Sequence, residues 1–184
     1  MPTVLAITGS LGPGSGNTRL LDLAATIAPD GVEVVRSTSI EDLPHFRPDL
    51  DAPADGPVAA FRAEIELADA VLIATPEYAH ALPGALKDAL DWVVGSGELY
   101  GKPVAVVSAA PAPERGTNAR EMLERTLRAQ GADVVSNQTV VVPRGAGPEV
   151  DAELGTVMAG VMATLLSAVA HLPQDHRGLV GPGG

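Results

Sequence analysis

Five short apolar runs recur along the chain at similar intervals: residues 4–8, 32–35, 70–75, 104–108 and 134–142, the last with a polar break. Most are continuous rather than alternating, the pattern of strands buried on both faces. Between them the period changes. Leu20, Leu23, Ala24 and Ile27 form one helical stripe, and Val58, Phe61, Ile65 and Ala68 form another. Leu86, Ala89, Leu90 and Val93 repeat the pattern, as do Met122, Leu123, Thr126 and Leu127. Gly31 and Gly131 stand where helix C-termini take a glycine. Regular βα alternation predicts a parallel sheet with helices on both faces and right-handed crossovers, hence one doubly wound α/β domain of three layers over residues 1–173. Residues 39–56, rich in Pro and Asp, read as an irregular connection. Residues 174–184, ending Gly-Pro-Gly-Gly, read as a flexible C-terminal tail.

One segment has the length of a bilayer span: residues 154–172 carry no formal charge. Their bulk nevertheless falls on one stripe, Leu154, Val157, Met158, Val161, Met162, Leu165, Leu166 and Val169, while the other face is small or polar. Lipid gives no reason for such segregation, and Lys/Arg flanks are missing, so a helix packed on the domain is expected, with no membrane partner. The opening residues lack a charged and apolar leader, and a cytoplasmic location is expected.

Composition removes several chemistries. With no cysteine among 184 residues, disulfides, thiolate metal sites and cysteine nucleophiles are excluded. The histidines, His45, His80, His171 and His176, have no paired spacing, so no metal site is expected. A net charge of −11 suits no nucleic-acid partner. Aromatic stacking must draw on Phe46, Phe61, Tyr78, Trp92 and Tyr100 alone.

Ligands of an open parallel sheet bind beyond the strands' C-terminal ends, where strand order reverses. The first strand runs into Thr8-Gly9-Ser10-Leu11-Gly12-Pro13-Gly14-Ser15-Gly16-Asn17-Thr18 and then a helix. Glycines let backbone N–H groups converge, hydroxyls add donors, and the helix N-terminus favours an anion, so a phosphate fits; the alternative is a glycine-rich turn capped by Ser15 or Asn17. The nucleotide-hydrolase P-loop, the dinucleotide Gly-x-Gly-x-x-Gly spacing and the Gly-x-Ser-x-Gly nucleophile elbow are all absent. A mononucleotide such as FMN suits a loop of this kind. After the third strand, Thr75-Pro76-Glu77-Tyr78-Ala79-His80-Ala81-Leu82-Pro83-Gly84 reads either as the edge of a platform for a flat ring or as an ordinary turn. After the fourth, Ser108-Ala109-Ala110-Pro111 allows close backbone approach to a planar ligand, or is a plain Pro/Ala linker.

These residues resemble the NADPH-dependent FMN reductase family, which includes quinone, azo and chromate reductases. The likeness runs over roughly residues 4–127. It rests on Gly9-Ser10-Leu11 with Gly14-Ser15-Gly16-Asn17, on the connection from Leu43-Pro44 to Asp49-Leu50-Asp51, and on Lys102-Pro103-Val104. The most specific match is Thr75-Pro76-Glu77-Tyr78-x-His80-x-Leu82-Pro83-Gly84-x-Leu86-Lys87-Asp88-Ala89-Leu90-Asp91-Trp92. The resemblance implies a flavodoxin-like fold with a five-stranded parallel sheet in the order 2-1-3-4-5, non-covalent FMN, NADPH or NADH as donor, a small acceptor such as a flavin or quinone, and a homodimer or homotetramer. It assigns the phosphate to Ser10, Ser15, Gly16, Asn17 and Thr18. It places Pro76, Glu77, Tyr78, Ala79 and His80 beside the flavin, with Ser108, Ala109, Ala110 and Arg115 on the other turn. No catalytic side chain is implied, because the flavin carries the chemistry.

Three departures stand out. Gly12 occupies the place of a phosphate-binding arginine, for which Arg19 is the nearest substitute. Ala79 replaces an asparagine, and the turn after the fourth strand lacks the usual Gly-Gly pair. They leave room for a family member with weakened or lost FMN binding that acts as a binding module. A flavodoxin-type electron carrier is the other alternative, and a nicotinamide-binding oxidoreductase using Arg36 is a third with the wrong glycine spacing. Trp92 lies off its helical stripe, so either a partner subunit or a loop of its own chain must bury it.

Overall fold

A computed structural model describes residues 1–12, 14–37, 40–50, 53–143 and 145–172. Pro13 of the first turn, Ser39 and Asp51 of the long connection, and the expected tail lie outside these residues. Five strands, β1 (Thr3–Thr8), β2 (Glu33–Arg36), β3 (Ala70–Ala74), β4 (Pro103–Ala110) and β5 (Asp133–Val141), pair in parallel in the order β2-β1-β3-β4-β5. They alternate with α1 (Gly16–Thr26), α2 (Pro57–Leu67), α3 (Gly84–Asp91) and α4 (Thr117–Ala129); a 3-10 turn, Pro148–Val150, leads into α5 (Asp151–His171). This is the flavodoxin-like order expected from the resemblance.

Continuous apolar runs form β1, β3 and β4 because each face of these strands meets a helix layer, whereas the edge strand β2 is only half-buried, with Val35 exposed. In β1, Leu5 and Ile7 pack with α2, α3 and α4, while Val4 and Ala6 pack with α1 and α5. β3 is buried from end to end. On α5 the bulky stripe sits on the sheet through Leu154, Met158, Val161, Met162, Leu165 and Val169; Val157 turns outward. The helix is long and apolar enough to cross a membrane by length and composition, with 33% of its most apolar window buried here.

The polar break in β5 has a physical cause. Ser136 opposes Ala105 while Val134 opposes Val104, so Val135 is an inserted bulge residue. Beyond the bulge, Asn137 faces α4, where the helix buries Arg120 rather than an apolar side chain. Asn137 Oδ1 accepts from Arg120, and Asn137 Nδ2 donates to Glu124. Arg128 Nε donates to Glu124 at 2.9 Å. The helical stripe of α4 is therefore Ala119, Arg120, Leu123 and Leu127, with Met122 only partly buried; a charged residue in the core-facing row hid this from the apolar pattern.

Gly131 has the predicted role: with φ +77° it ends α4, and the amide of Ala132 reaches back to Leu127 O at 3.1 Å. Gly31 also has positive φ, but α1 ends at Thr26, so this glycine belongs to the turn that enters β2. Lys102 caps α2 from a distance, its Nζ donating to Ile65 O at 2.7 Å and Ala68 O at 2.6 Å. Burial holds its ammonium below the ordinary lysine range.

Trp92 is buried by its own chain. Its Nε1 donates to Pro44 O at 2.7 Å, and its ring meets Phe46 edge-on at 5.2 Å. Arg62 binds the Trp92 carbonyl at 2.7 Å, and Asp88 Oδ1 accepts from the Phe46 amide at 3.2 Å. These contacts lay the connection over residues 43–46 along α3. Trp92→Phe strands the Pro44 carbonyl and removes part of the packing, so chemical denaturation should show a loss of about 1–3 kcal/mol. An unchanged midpoint would contradict this anchoring.

Hydrogen bonds from Asn137 and Arg128 hold the Glu124 carboxyl below its ordinary value of 4.5. A folded-state pKa below the unfolded one gives stability that is full above that value and lost as pH falls through the folded pKa. Glu124→Gln should therefore be less stable than the parent protein at neutral pH and converge with it in acid. Parallel pH–stability curves would contradict the assignment.

Candidate functional site

The three unusual strand ends meet at the C-terminal edge of the sheet, because β1, β3 and β4 are neighbours. Gly9 donates to Ala74 O at 2.8 Å and Thr75 to Val107 O at 3.0 Å, so the strands stay paired up to the turns. A Cβ at Gly9 would come within 3.0 Å of Leu86 and 3.2 Å of Thr75 Oγ1, which is why the first turn can leave the sheet so closely against α3.

Ser15 is the N-cap of α1, its Oγ accepting from the Thr18 amide at 3.1 Å and pairing with Thr18 Oγ1 at 2.9 Å. One hydroxyl of that pair donates to the other, leaving the second proton for an outside acceptor. The first-turn amides of Gly16 and Asn17 have no acceptor among the described residues. Ser10 is buried at 7% exposure, its amide bound to Thr8 Oγ1 and its hydroxyl without a partner among the described residues. Gly16 eases a close approach: a Cβ there would stand 3.0 Å from Ala109 Cβ.

Asn17 is more constrained than a phosphate ligand alone. Its side chain is nearly buried, and Oδ1 accepts from the Ala109 amide at 2.9 Å, tying the head of α1 to the end of β4. The Ala109 N–H is thus committed, and Pro111 has none to offer a flavin. Arg19 does not take the place of the arginine missing at position 12. Its Nε donates to Asp151 Oδ1 at 2.8 Å, and its terminal nitrogens bind Ala146 O and Gly147 O. It draws the β5–α5 connection over the first turn of α1. The result is a cleft of about 390 Å³ lined by Gly14, Ser15, Gly16 and Arg19 on one side and by Ala109–Pro111, Val142, Pro143, Gly145 and Ala146 on the others.

The β3–α3 turn is a miniature hairpin. Tyr78 and Ala81 exchange both backbone hydrogen bonds at 3.0 Å, and Ala79 and His80 sit between them at φ 50° and 60°. Such a two-residue turn favours Asn or Gly, so the Asn-to-Ala departure costs backbone energy as well as a polar group. Tyr78 (57% exposed) and His80 project from it. Pro76 leads into this hairpin, and Glu77 faces the first turn of α4, where its Oε2 accepts from the Ala119 amide at 3.2 Å. Nothing in the sequence marks that contact, which spans forty-two positions.

On the β4 side, Ser108 is buried with its Oγ unpartnered among the described residues, packed beneath Gly116. Ala110 closes the strand, and Arg115 is exposed with no side-chain partner among the described residues; its carbonyl accepts from Thr139 Oγ1 at 3.1 Å. The first two turns and the small residues of β4 are therefore brought together, whereas Ser108 and the side chain of Asn17 act from beneath the surface. A second cleft, of about 400 Å³ between α3 and α4 around Val94, Met122 and Ala129, lies away from the strand ends. No group of three or more metal-ligating side chains occurs among the described residues.

Residues 2–147 match the family described as NADPH-dependent FMN reductase. The chain is 37% identical over 127 residues to an NAD(P)H-dependent FMN reductase of Pseudomonas aeruginosa, covering 67% of this chain and 68% of that one. It is 34% identical over 128 residues to a quinone reductase of Escherichia coli K12, again covering 67% and 68%. Among solved structures, FerB, a flavoenzyme NAD(P)H:(acceptor) oxidoreductase from Paracoccus denitrificans, superposes with a TM-score of 0.71 at 27% identity, covering 91% of this chain and 99% of that one. The strand order, the donor-rich turn and these likenesses agree: the chain belongs to the NADPH-dependent FMN reductase family.

Proposed function

We propose that the protein is an FMN-dependent NAD(P)H oxidoreductase holding the FMN phosphate at the head of α1 and the ring between the β3–α3 hairpin and the end of β4. It passes a hydride from NADPH or NADH to a small oxidised acceptor, a free flavin or a quinone. The observation that carries this reading is the set of uncommitted donors on one helix N-terminus. The amides of Gly16 and Asn17 and one proton of the Ser15–Thr18 pair are unspent there, and Ser15 and Gly16 line the cleft beside Ala109 and Ala110; the Ser10 hydroxyl adds a further donor from the preceding turn. Family membership and the quinone reductases among the relatives support the donor and acceptor classes.

FMN, when bound, would supply the hydride and electron-transfer chemistry between nicotinamide and acceptor. The chain's own part is to bind and orient. The first turn of α1 neutralises phosphate charge through backbone dipoles rather than a side-chain cation, since Arg19 is engaged with Asp151. Ala109 and Ala110 lack the bulk that would keep a planar ring from the strand end. Pro76, Tyr78, Ala79 and His80 form the opposite edge, and Arg115 stands at the rim. Following the family resemblance we also read the protein as a homodimer or homotetramer, and separately we read its location as cytoplasmic. A flavodoxin-type electron carrier is the second reading, favoured by the shared strand order and the charge of −11.

Incubation with FMN followed by desalting should leave a protein with flavin absorption, and that holoprotein should oxidise NADPH or NADH with a quinone and no added reductase. Flavin retention without such turnover would favour the electron carrier; no flavin retention at millimolar FMN would overturn both. A Cβ at Gly12 meets nothing within 4 Å, so a longer side chain fits there. Gly12→Arg should tighten FMN binding roughly tenfold or more through a charge-assisted hydrogen bond. Equal or weaker affinity in a flavin titration would contradict the assignment of this turn.

A further inference from the structure

α4 starts without a cap of its own. Its N-cap is Gly116, at φ +81°, with no side-chain hydrogen bond to the first turn. No larger residue can take over there, because a Cβ would lie 2.5 Å from Ser108 Oγ. The orphan amide at the third helical position, Ala119, is instead satisfied by the carboxylate of Glu77, from the turn after β3. Glu77 is 16% exposed, and its other oxygen lies 3.5 Å from His80 Nδ1. A second link runs parallel to the first: Asn118 Nδ2 donates to His80 Nδ1 at 3.2 Å. The hairpin, whose two tip residues are left-handed, and the start of α4, which lacks a cap of its own, are thus fastened to each other.

We propose that Glu77 is a positioning residue: by capping α4 from the β3–α3 hairpin, its carboxylate fixes the spacing of the two turns that flank the flavin ring. It sets affinity for the ring without being a ligand to it. The inference rests on the FMN reading above and assigns this glutamate a task that neither the family likeness nor its place in the motif specifies. Because the link needs an acceptor rather than a charge, glutamine should replace glutamate and alanine should not. Because the phosphate is held at α1, the loss should fall equally on flavins with and without phosphate.

The test measures dissociation constants of FMN and riboflavin by flavin fluorescence for the full chain, Glu77→Gln and Glu77→Ala, with the visible circular dichroism of the bound flavin. Glu77→Ala should weaken both ligands roughly tenfold at an unchanged FMN-to-riboflavin ratio, with altered flavin dichroism, and Glu77→Gln should stay within about threefold of the parent. Parent-like binding by Glu77→Ala, equal damage from Gln and Ala, or a loss confined to FMN would each overturn the proposal. Should the alanine variant fail to fold, amide hydrogen exchange on the unmodified protein decides. Ala119 should exchange more slowly than Thr117 and Asn118, and equal rates would overturn the link. A parent protein that binds neither flavin sinks the functional reading itself, which the Ala119 exchange rate does not depend on.

Discussion

A parallel sheet covered on both faces has only its edges free for chemistry, and that constraint governs everything else in this molecule. Residues of β1, β3 and β4 are consumed by packing on α1 and α5 on one side and on α2, α3 and α4 on the other. What touches a ligand must come from the turns where those strands release the chain into helices. The sheet places three such turns side by side by making their strands neighbours. The glycines at positions 9 and 16 are the local consequence, since the chain must leave the sheet within contact distance of α3 and of Ala109.

The turns are then fastened by long-range bonds between a side chain and a backbone group. Asn17 secures α1 to β4, Arg19 secures the β5–α5 connection to α1 through the carbonyls of Ala146 and Gly147, and Glu77 secures the β3–α3 hairpin to α4. Each removes a polar group from the ligand's reach while fixing the backbone that remains. The arrangement favours recognition by amides and hydroxyls over recognition by cations, in keeping with an acidic chain whose glycine at position 12 stands where relatives are expected to carry arginine.

The architecture was legible in the sequence wherever burial dictates residue type. Apolar runs, continuous in β1, β3 and β4 and interrupted in β2 and β5, marked the five strands, and the bulky stripe of α5 faces the sheet as its spacing predicts. The turns of the proposed site stand out in the sequence by their glycines and hydroxyls. What could not be read were partners distant in sequence: Pro44 for Trp92, Asn137 for Arg120, Ala119 for Glu77. A polar side chain bound to a backbone group leaves no complementary residue to detect, so Asn17 reads equally as ligand or as strut. Gly31 and Gly131 show the same limit, with identical residue type and sign of φ but different places relative to a helix end.

In the proposed holoprotein one flavin phosphate sits on the first turn of α1 with its ring over the neighbouring turns. A titration of the ¹⁵N-labelled protein with FMN, followed amide by amide, tests it most directly. The largest shifts should fall on Ser10, Gly16 and Asn17, with ring-current shifts at Tyr78, His80, Ala109 and Ala110. Unmoved amides at these positions, with shifts gathered instead around the groove of Val94 and Met122, would contradict it.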